Sequence, residues 1–311
     1  MKRKRILVLI PSCVVLALLC LVLRGWFFAP EPATAVSQFF SYDQEVPLDA
    51  VVTYQSETEE YTVSQVVFSS VNRARVPGLL FLPKDADKPL PAILYQHGAG
   101  NSKNGDYIVA GLDLFARSGF VAMAIDAEFH GERAVEGYDM DADTFLDVPP
   151  VELRNAIIQT VVDLRRATDF LCSLDQVDGD RIGYLGISLG GIMGATLAGL
   201  DDRIKVCILA VAGGGFGKIA RFGTLVDFAE VPDELLEMAA IIDPMNYVAM
   251  ISPRRLHMMN AEQDDLMPPI SSKLLYAKAR APKSITWYDS GHELPRDEAL
   301  EEARAVFQKY L

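Results

Sequence analysis

The chain has 311 residues, half of them apolar and 23% charged, with a formal net charge of −13. That composition supplies a sizeable core and excludes a disordered chain, and the length fits one α/β domain behind an N-terminal segment. The acidic balance, with no basic stripe and no interleaving of aromatic and basic residues, excludes nucleic acid as a partner, because nothing is there to neutralise phosphates.

The chain begins with a targeting segment. Met1-Lys2-Arg3-Lys4-Arg5 precedes residues 6–23, eighteen positions without a charge, and then Arg24-Gly25-Trp26-Phe27-Phe28. Eighteen such positions are just enough to cross a bilayer as a helix, with the aromatic cluster at the far interface, and the basic cluster stays cytoplasmic. Residues 1–28 therefore read as a membrane anchor or signal segment that sends everything after it to the extracytoplasmic side. Ala33-Thr34-Ala35 has the small-residue pattern of a cleavage site, so the alternative to a membrane-anchored protein is one secreted after cleavage near Ala35. Residues 29–45 lack a period and read as a linker, which leaves 46–311 as the domain.

Residues 51–54, 62–69 and 74–82 are β-rich runs and suggest an antiparallel start to a sheet. From residue 92 the pattern changes to short continuous apolar runs, at 92–95, 121–125, 182–185 and 206–211, as expected of strands buried on both faces. Helical stretches at 108–118, 151–171 and 189–200 lie between and after them, and this alternation predicts a doubly wound, mostly parallel sheet. Two more strands are expected at 255–259 and 285–288, each followed by a helix, ending near Arg280 and Leu311. Residues 213–246 are too long for a plain connection and are expected to form a small cap over the carboxyl ends of the strands. Cys172 and Cys207 are the cysteines outside the targeting segment; both sit in apolar settings and are expected to be buried free thiols.

The chemistry is concentrated in a few motifs. Gly186-Ile187-Ser188-Leu189-Gly190 follows an apolar strand and precedes a small-residue helix, the context of a nucleophile elbow, in which a sharp strand-to-helix turn exposes a serine hydroxyl. A serine needs a histidine base, itself oriented by a carboxylate. Downstream of Ser188 only His257 and His292 are available. His257 lies inside a strand run and reads as a core histidine, whereas His292, just past a strand in a loop, is free to be aimed and is the expected base. The loop after residues 255–259 offers Glu262, Asp264 and Asp265 as the acid, and spacing does not choose between the two aspartates. The oxyanion of a tetrahedral intermediate needs backbone N–H donors. Leu189, after the nucleophile, is one, and Ala99, in the His97-Gly98-Ala99-Gly100 loop behind the strand at 92–95, is the other, with His97 bracing that loop.

These features resemble the α/β-hydrolase superfamily, in its dienelactone hydrolase, acetyl xylan esterase and prolyl-oligopeptidase-like branch, over about residues 75–311. Besides the elbow, the resemblance rests on the His97-Gly98 loop, on Ile125-Asp126 followed by His130-Gly131-Glu132-Arg133, on Asp163-Leu164-Arg165-Arg166-Ala167, on Asp243-Pro244 and on Ile251-Ser252-Pro253. It implies an eight-stranded α/β-hydrolase sheet and a serine hydrolase that cleaves a carboxylic ester of a small molecule through an acyl-enzyme on Ser188, without a cofactor. It also favours Asp264 as the acid, four residues before Pro268, although Ala261 and Met267 depart from the family pattern and Asp265 stays open. His130 and Arg133 are expected to support a loop. A peptidase, thioesterase or amidase on the same triad remains an alternative, as does a membrane-tethered binding protein that keeps the scaffold without turnover. Gly213-Gly214-Gly215-Phe216-Gly217-Lys218 lacks the residues of a nucleotide-binding loop, Asp139-Met140-Asp141-Ala142-Asp143 lacks the turn glycine of a calcium loop, and His292-Glu293 lacks the second histidine of a zinc helix, so no metal is implied.

Overall fold

A computed structural model describes residues 36–138, 140–141, 148–216 and 233–311. The expected targeting segment of residues 1–28 lies outside them, as do residues 217–232 of the expected cap and most of the acidic loop at 139–147. Among the described residues no helix is long and apolar enough to cross a membrane.

Among the described residues nine strands form the sheet: β1 (Val51–Glu57), β2 (Tyr61–Ser69), β3 (Arg75–Pro83), β4 (Leu90–Gln96), β5 (Val121–Ile125), β6 (Val177–Ile187), β7 (Ile204–Ala210), β8 (Arg255–Ala261) and β9 (Lys283–Tyr288). Their spatial order is β1-β2-β3-β5-β4-β6-β7-β8-β9. The β1–β2, β2–β3 and β3–β5 pairs are antiparallel, and every pair from β5 across to β9 is parallel. The eight strands implied by the resemblance are thus corrected to nine, one for each β-rich run in the sequence. The strand beyond eight is an edge strand: all seven residues of β1 are exposed. It forms through its backbone ladder with β2, from Val51 opposite Val67 to Glu57 opposite Thr62.

Among the described residues the helices are α1 (Asp106–Arg117), α2 (Pro150–Cys172), α3 (Leu189–Leu200), α4 (Asp233–Ile242), α5 (Pro269–Lys278) and α6 (Arg296–Tyr310). The alternation read from the sequence is present from β4 to α6. The apolar runs are continuous because both faces of the sheet are covered. Along β4, Ala92 and Leu94 join a core with Leu164, Leu197 and Leu275 from α2, α3 and α5, while Ile93 and Tyr95 join one with Leu112, Phe115 and Phe307 from α1 and α6. The chain leaves β4 toward β5 on one side and returns with β6 on the other, so a crevice opens between the carboxyl ends of β4 and β6, the switch point where ligands bind in such sheets.

Two expectations are revised. The described part of the linker, residues 36–45, is docked rather than free. Phe40 is fully buried, edge-on to Tyr247 at 5.5 Å, and the Tyr42 hydroxyl donates to Asp169 at 2.9 Å beneath the Arg165 guanidinium. An aromatic pair spaced by one residue gives this arm an apolar anchor and a polar one. Cys172 and Cys207 are free, but Cys172 is exposed, because it is the last residue of α2 and faces outward there; Cys207, inside β7, is buried as expected. The described ends of residues 213–246, the stretch expected to form a cap, meet at Asp243, whose carboxylate accepts from the Gly215, Phe216 and Met245 N–H groups.

Candidate active site

Ser188 alone makes the turn between β6 and α3, with φ 54° and ψ −116°. A non-glycine residue held there costs about 1–3 kcal/mol, so the surrounding structure has to over-determine it. It does so at both ends: the Ser188 N–H donates to the Ala210 carbonyl of β7 at 2.9 Å, and the Ile192 N–H donates to the Ser188 carbonyl at 3.0 Å. The flanking glycines are steric requirements. A Cβ on Gly186 would lie 2.3 Å from the Gly190 carbonyl oxygen, and one on Gly190 would lie 2.5 Å from that of Gln96.

Asp264 and His292 come from the loops after β8 and β9 and meet Ser188 in a line. His292 Nε2 lies 2.9 Å from Ser188 Oγ, and Nδ1 lies 2.9 Å from each Asp264 carboxylate oxygen. Carboxylate oxygens only accept, so Nδ1 carries the hydrogen and donates, which leaves Nε2 to accept from the serine hydroxyl. The choice between adjacent aspartates, open in the sequence, is one of burial: Asp264 is 5% exposed and turned inward, whereas Asp265 and Glu262 are exposed. Asp264 is held in turn by the Leu266 and Met267 N–H groups, at 3.0 and 2.7 Å from Oδ1. Ser188 and His292 are both partly exposed, as groups that must meet a substrate require.

The loop after β4 faces this line. Leu189 begins α3, so its N–H has no helical acceptor. In the facing loop the Gly98 N–H donates to the Tyr107 hydroxyl at 2.9 Å and the Gly100 N–H to the Met140 carbonyl at 2.6 Å. Ala99 lies between them, and no acceptor for its N–H occurs among the described residues. His97 braces the loop as expected. Its Nδ1–H donates to the Gly98 carbonyl at 2.8 Å, and its Nε2 accepts from the Ala127 N–H at 3.1 Å.

Burial, reinforced by the neighbouring His130, pushes the His97 imidazole down to about 4, and burial does the same to His130. Between about pH 6.5 and 4 the unfolded chain then binds more protons at these histidines than the folded one. Stability is therefore complete above that window and falls as pH drops through it, by up to ~1.4 kcal/mol per pH unit for each histidine. We expect urea midpoints measured from pH 7 to 4.5 to fall more steeply in the wild type than in His97→Asn; equal slopes would remove His97 as a source.

A buried ion pair anchors the far end of the same loop. Lys103 Nζ lies 2.8 Å from Asp126 Oδ2, both side chains 2% exposed or less, and the Lys103 N–H donates to Asp126 Oδ1 at 2.8 Å. Lys103 Nζ also reaches the half-exposed Glu132 at 2.5 Å, so it is removal of Lys103 that leaves a buried charge, Asp126, without its counter-charge, at a cost of about 3–5 kcal/mol. Arg133 supports the neighbouring loop as expected, donating to Asp163 at 2.7 Å and to the Asp126 carbonyl at 3.1 Å. His130 donates through Nδ1 to the Glu128 carbonyl at 2.8 Å. His257 is a core histidine between Ser284 and Glu302, far from this loop in the chain and on the strand β8. Among the described residues no group of three or more His, Cys, Asp or Glu is placed to hold a metal ion.

Tyr107 and Lys103 were not singled out in the sequence. Lysine in a polar turn is ordinarily solvated, and a tyrosine in the first turn of a helix carries no motif.

Compared with known proteins, the chain is similar to the acetyl xylan esterase of Paenibacillus sp. R4, at 25% identity and a TM-score of 0.70 over 90% of this chain and 92% of that one. It shares the fold of acetyl xylan esterase 1 from Thermoanaerobacterium sp. JW/SL YS485, at 20% identity and a TM-score of 0.71 over 91% and 95%. Among curated relatives, acetyl esterase Axe7A of Xylanibacter ruminicola is 24% identical over 68% of this chain and 51% of that protein. The putative hydrolase YtaP of Bacillus subtilis is 28% identical over 52% of this chain and 56% of that protein. The chain thus spans about half the length of the curated relatives it matches. The model of the acetyl xylan esterase (AXE1) family matches nearly the whole chain, residues 35–309, and the protein belongs to that family.

Proposed function

We propose that this protein hydrolyses carboxylic esters of small acids, acetyl esters foremost, through an acyl-enzyme on Ser188. The observation that carries the reading is the unbroken hydrogen-bonded line from Ser188 through His292 to Asp264, set on a strained elbow opposite a loop whose Ala99 N–H has no acceptor among the described residues. Family membership and the similarity to acetyl esterases support the acyl group.

Ser188 Oγ attacks the ester carbonyl as its proton passes to His292 Nε2. Asp264, fixed on Nδ1, holds the imidazole in the tautomer that can take that proton and stabilises the imidazolium that results. The carbonyl oxygen becomes an oxyanion between the Leu189 and Ala99 N–H groups, donors already in place when the charge develops. Collapse returns the proton to the leaving alcohol and leaves the acyl group on Ser188. Water, deprotonated by His292, attacks in turn and releases the acid. The sequence of residues 1–35 supports delivery of this activity across a membrane, either tethered there or released.

The test is hydrolysis by the full-length chain of p-nitrophenyl acetate, butyrate and decanoate, with acetate release from acetylated xylo-oligosaccharides followed in parallel. Turnover that falls as the acyl chain lengthens is the expected result. A folded protein that turns over none of these would overturn the ester reading. If Ser188 then also failed to react with a fluorophosphonate, a binding role would stand in its place.

A further inference from the structure

Gly98, in the loop after β4, lies close against the nucleophile. A Cβ built there would lie 3.2 Å from Ser188 Cβ and 3.8 Å from its Oγ, so a side chain at this position would crowd the nucleophile. Glycine also brings the freedom to rotate about both of its backbone bonds, and that freedom would be harmful in a loop whose next N–H serves as an oxyanion donor. The structure removes it from both sides. The peptide entering Gly98 is held by its N–H, which donates to the Tyr107 hydroxyl at 2.9 Å. The peptide leaving Gly98 is held by its carbonyl, which accepts from His97 Nδ1 at 2.8 Å. In a planar trans peptide the N–H points opposite to the carbonyl, so fixing the Gly98 oxygen on His97 fixes the direction of the Ala99 N–H.

We propose that Tyr107 is a positioning residue of the oxyanion hole: its hydroxyl and the His97 ring clamp the two peptides of Gly98 and thereby aim the Ala99 N–H at the oxygen of the reacting carbonyl. The inference rests on the reading of Ala99 as an oxyanion donor. Tyr107 is suited to the task. It stands in the first turn of α1, its ring lies edge-on to the fully buried Tyr95 at 6.3 Å, and burial raises its phenol to about 12, so it keeps its hydroxyl throughout the working range. Its effect reaches the substrate only through the direction of a backbone N–H. Substrate binding by the acyl and alcohol groups is untouched, and so is the Ser188–His292–Asp264 line.

The experiment compares full-length wild type and Tyr107→Phe on p-nitrophenyl acetate, with active sites counted by fluorophosphonate so that kcat refers to folded protein. A phenyl trifluoromethyl ketone supplies the second readout. Ser188 Oγ adds to its carbonyl, the carbonyl electron pair moves onto oxygen, the hydroxyl proton goes to His292, and the resulting oxyanion occupies the hole. We expect kcat to fall about tenfold, as for a small misplacement of a catalytic group, with KM within about twofold, the pH profile of kcat unmoved and ketone inhibition weakened by the same factor as kcat. An unchanged kcat, a rise in KM instead, or a fall in kcat with ketone inhibition unchanged would each overturn the role of Tyr107. A wild type that turns over the ester but is not inhibited by the ketone would overturn the oxyanion reading itself, a separate outcome visible without the variant.

Discussion

Ser188→Ala is expected to lower kcat for p-nitrophenyl acetate by about 10⁴-fold or more, the loss seen when a triad nucleophile is removed and only binding and oxyanion contacts remain. The change deletes one oxygen. Its hydrogen bond to His292 goes, but the two backbone bonds that hold the elbow, from Ser188 to Ala210 and from Ile192 to Ser188, involve no side chain and persist. The melting temperature is therefore expected to stay close to that of the wild type, so that the loss is read as chemistry and not as unfolding. Reaction with a fluorophosphonate, followed as an added mass on the intact protein, is expected to vanish in the same variant. Retained turnover would move the nucleophile elsewhere.

Asp264→Asn is expected to lower kcat by about 10⁴-fold, and Asp265→Asn by less than about twofold. The two residues are neighbours in the chain and opposites in the fold. Asp264 is buried, accepts from His292 and from two backbone N–H groups, and sets the imidazole tautomer, whereas Asp265 is exposed. An asparagine at 264 can offer its NH₂ to Nδ1, which would put the imidazole hydrogen on Nε2 and leave the serine without a base. Parallel measurement of kcat for both variants decides the assignment, and the larger loss at Asp265 would reverse it.

The parallel half of the sheet was legible because its inner strands are buried on both faces and read as unbroken apolar runs, and the elbow was legible because its glycines are demanded by contacts under 3 Å. The β1 strand was legible as β-rich sequence, but not as a ninth member of the sheet, since no burial pattern marks a strand exposed along its whole length. The choice of Asp264 over Asp265 depends on which way one loop turns inward, a property of packing that adjacent identical residues cannot encode. Tyr107 and Lys103 escaped notice for a related reason: each acts by closing a contact with a residue 9 or 23 positions away, and neither residue type is unusual where it stands. The docking of residues 36–45 was missed because two aromatic anchors spaced by one residue leave no period to detect.

The backbone of Ser188, at a positive φ that only glycine adopts without strain, sets stability and turnover against each other at one position. Ser188→Gly would relieve the elbow and abolish the nucleophile in the same step. A lineage selected for heat resistance alone would drift toward that substitution, and one that keeps serine there is being held by what the hydroxyl does.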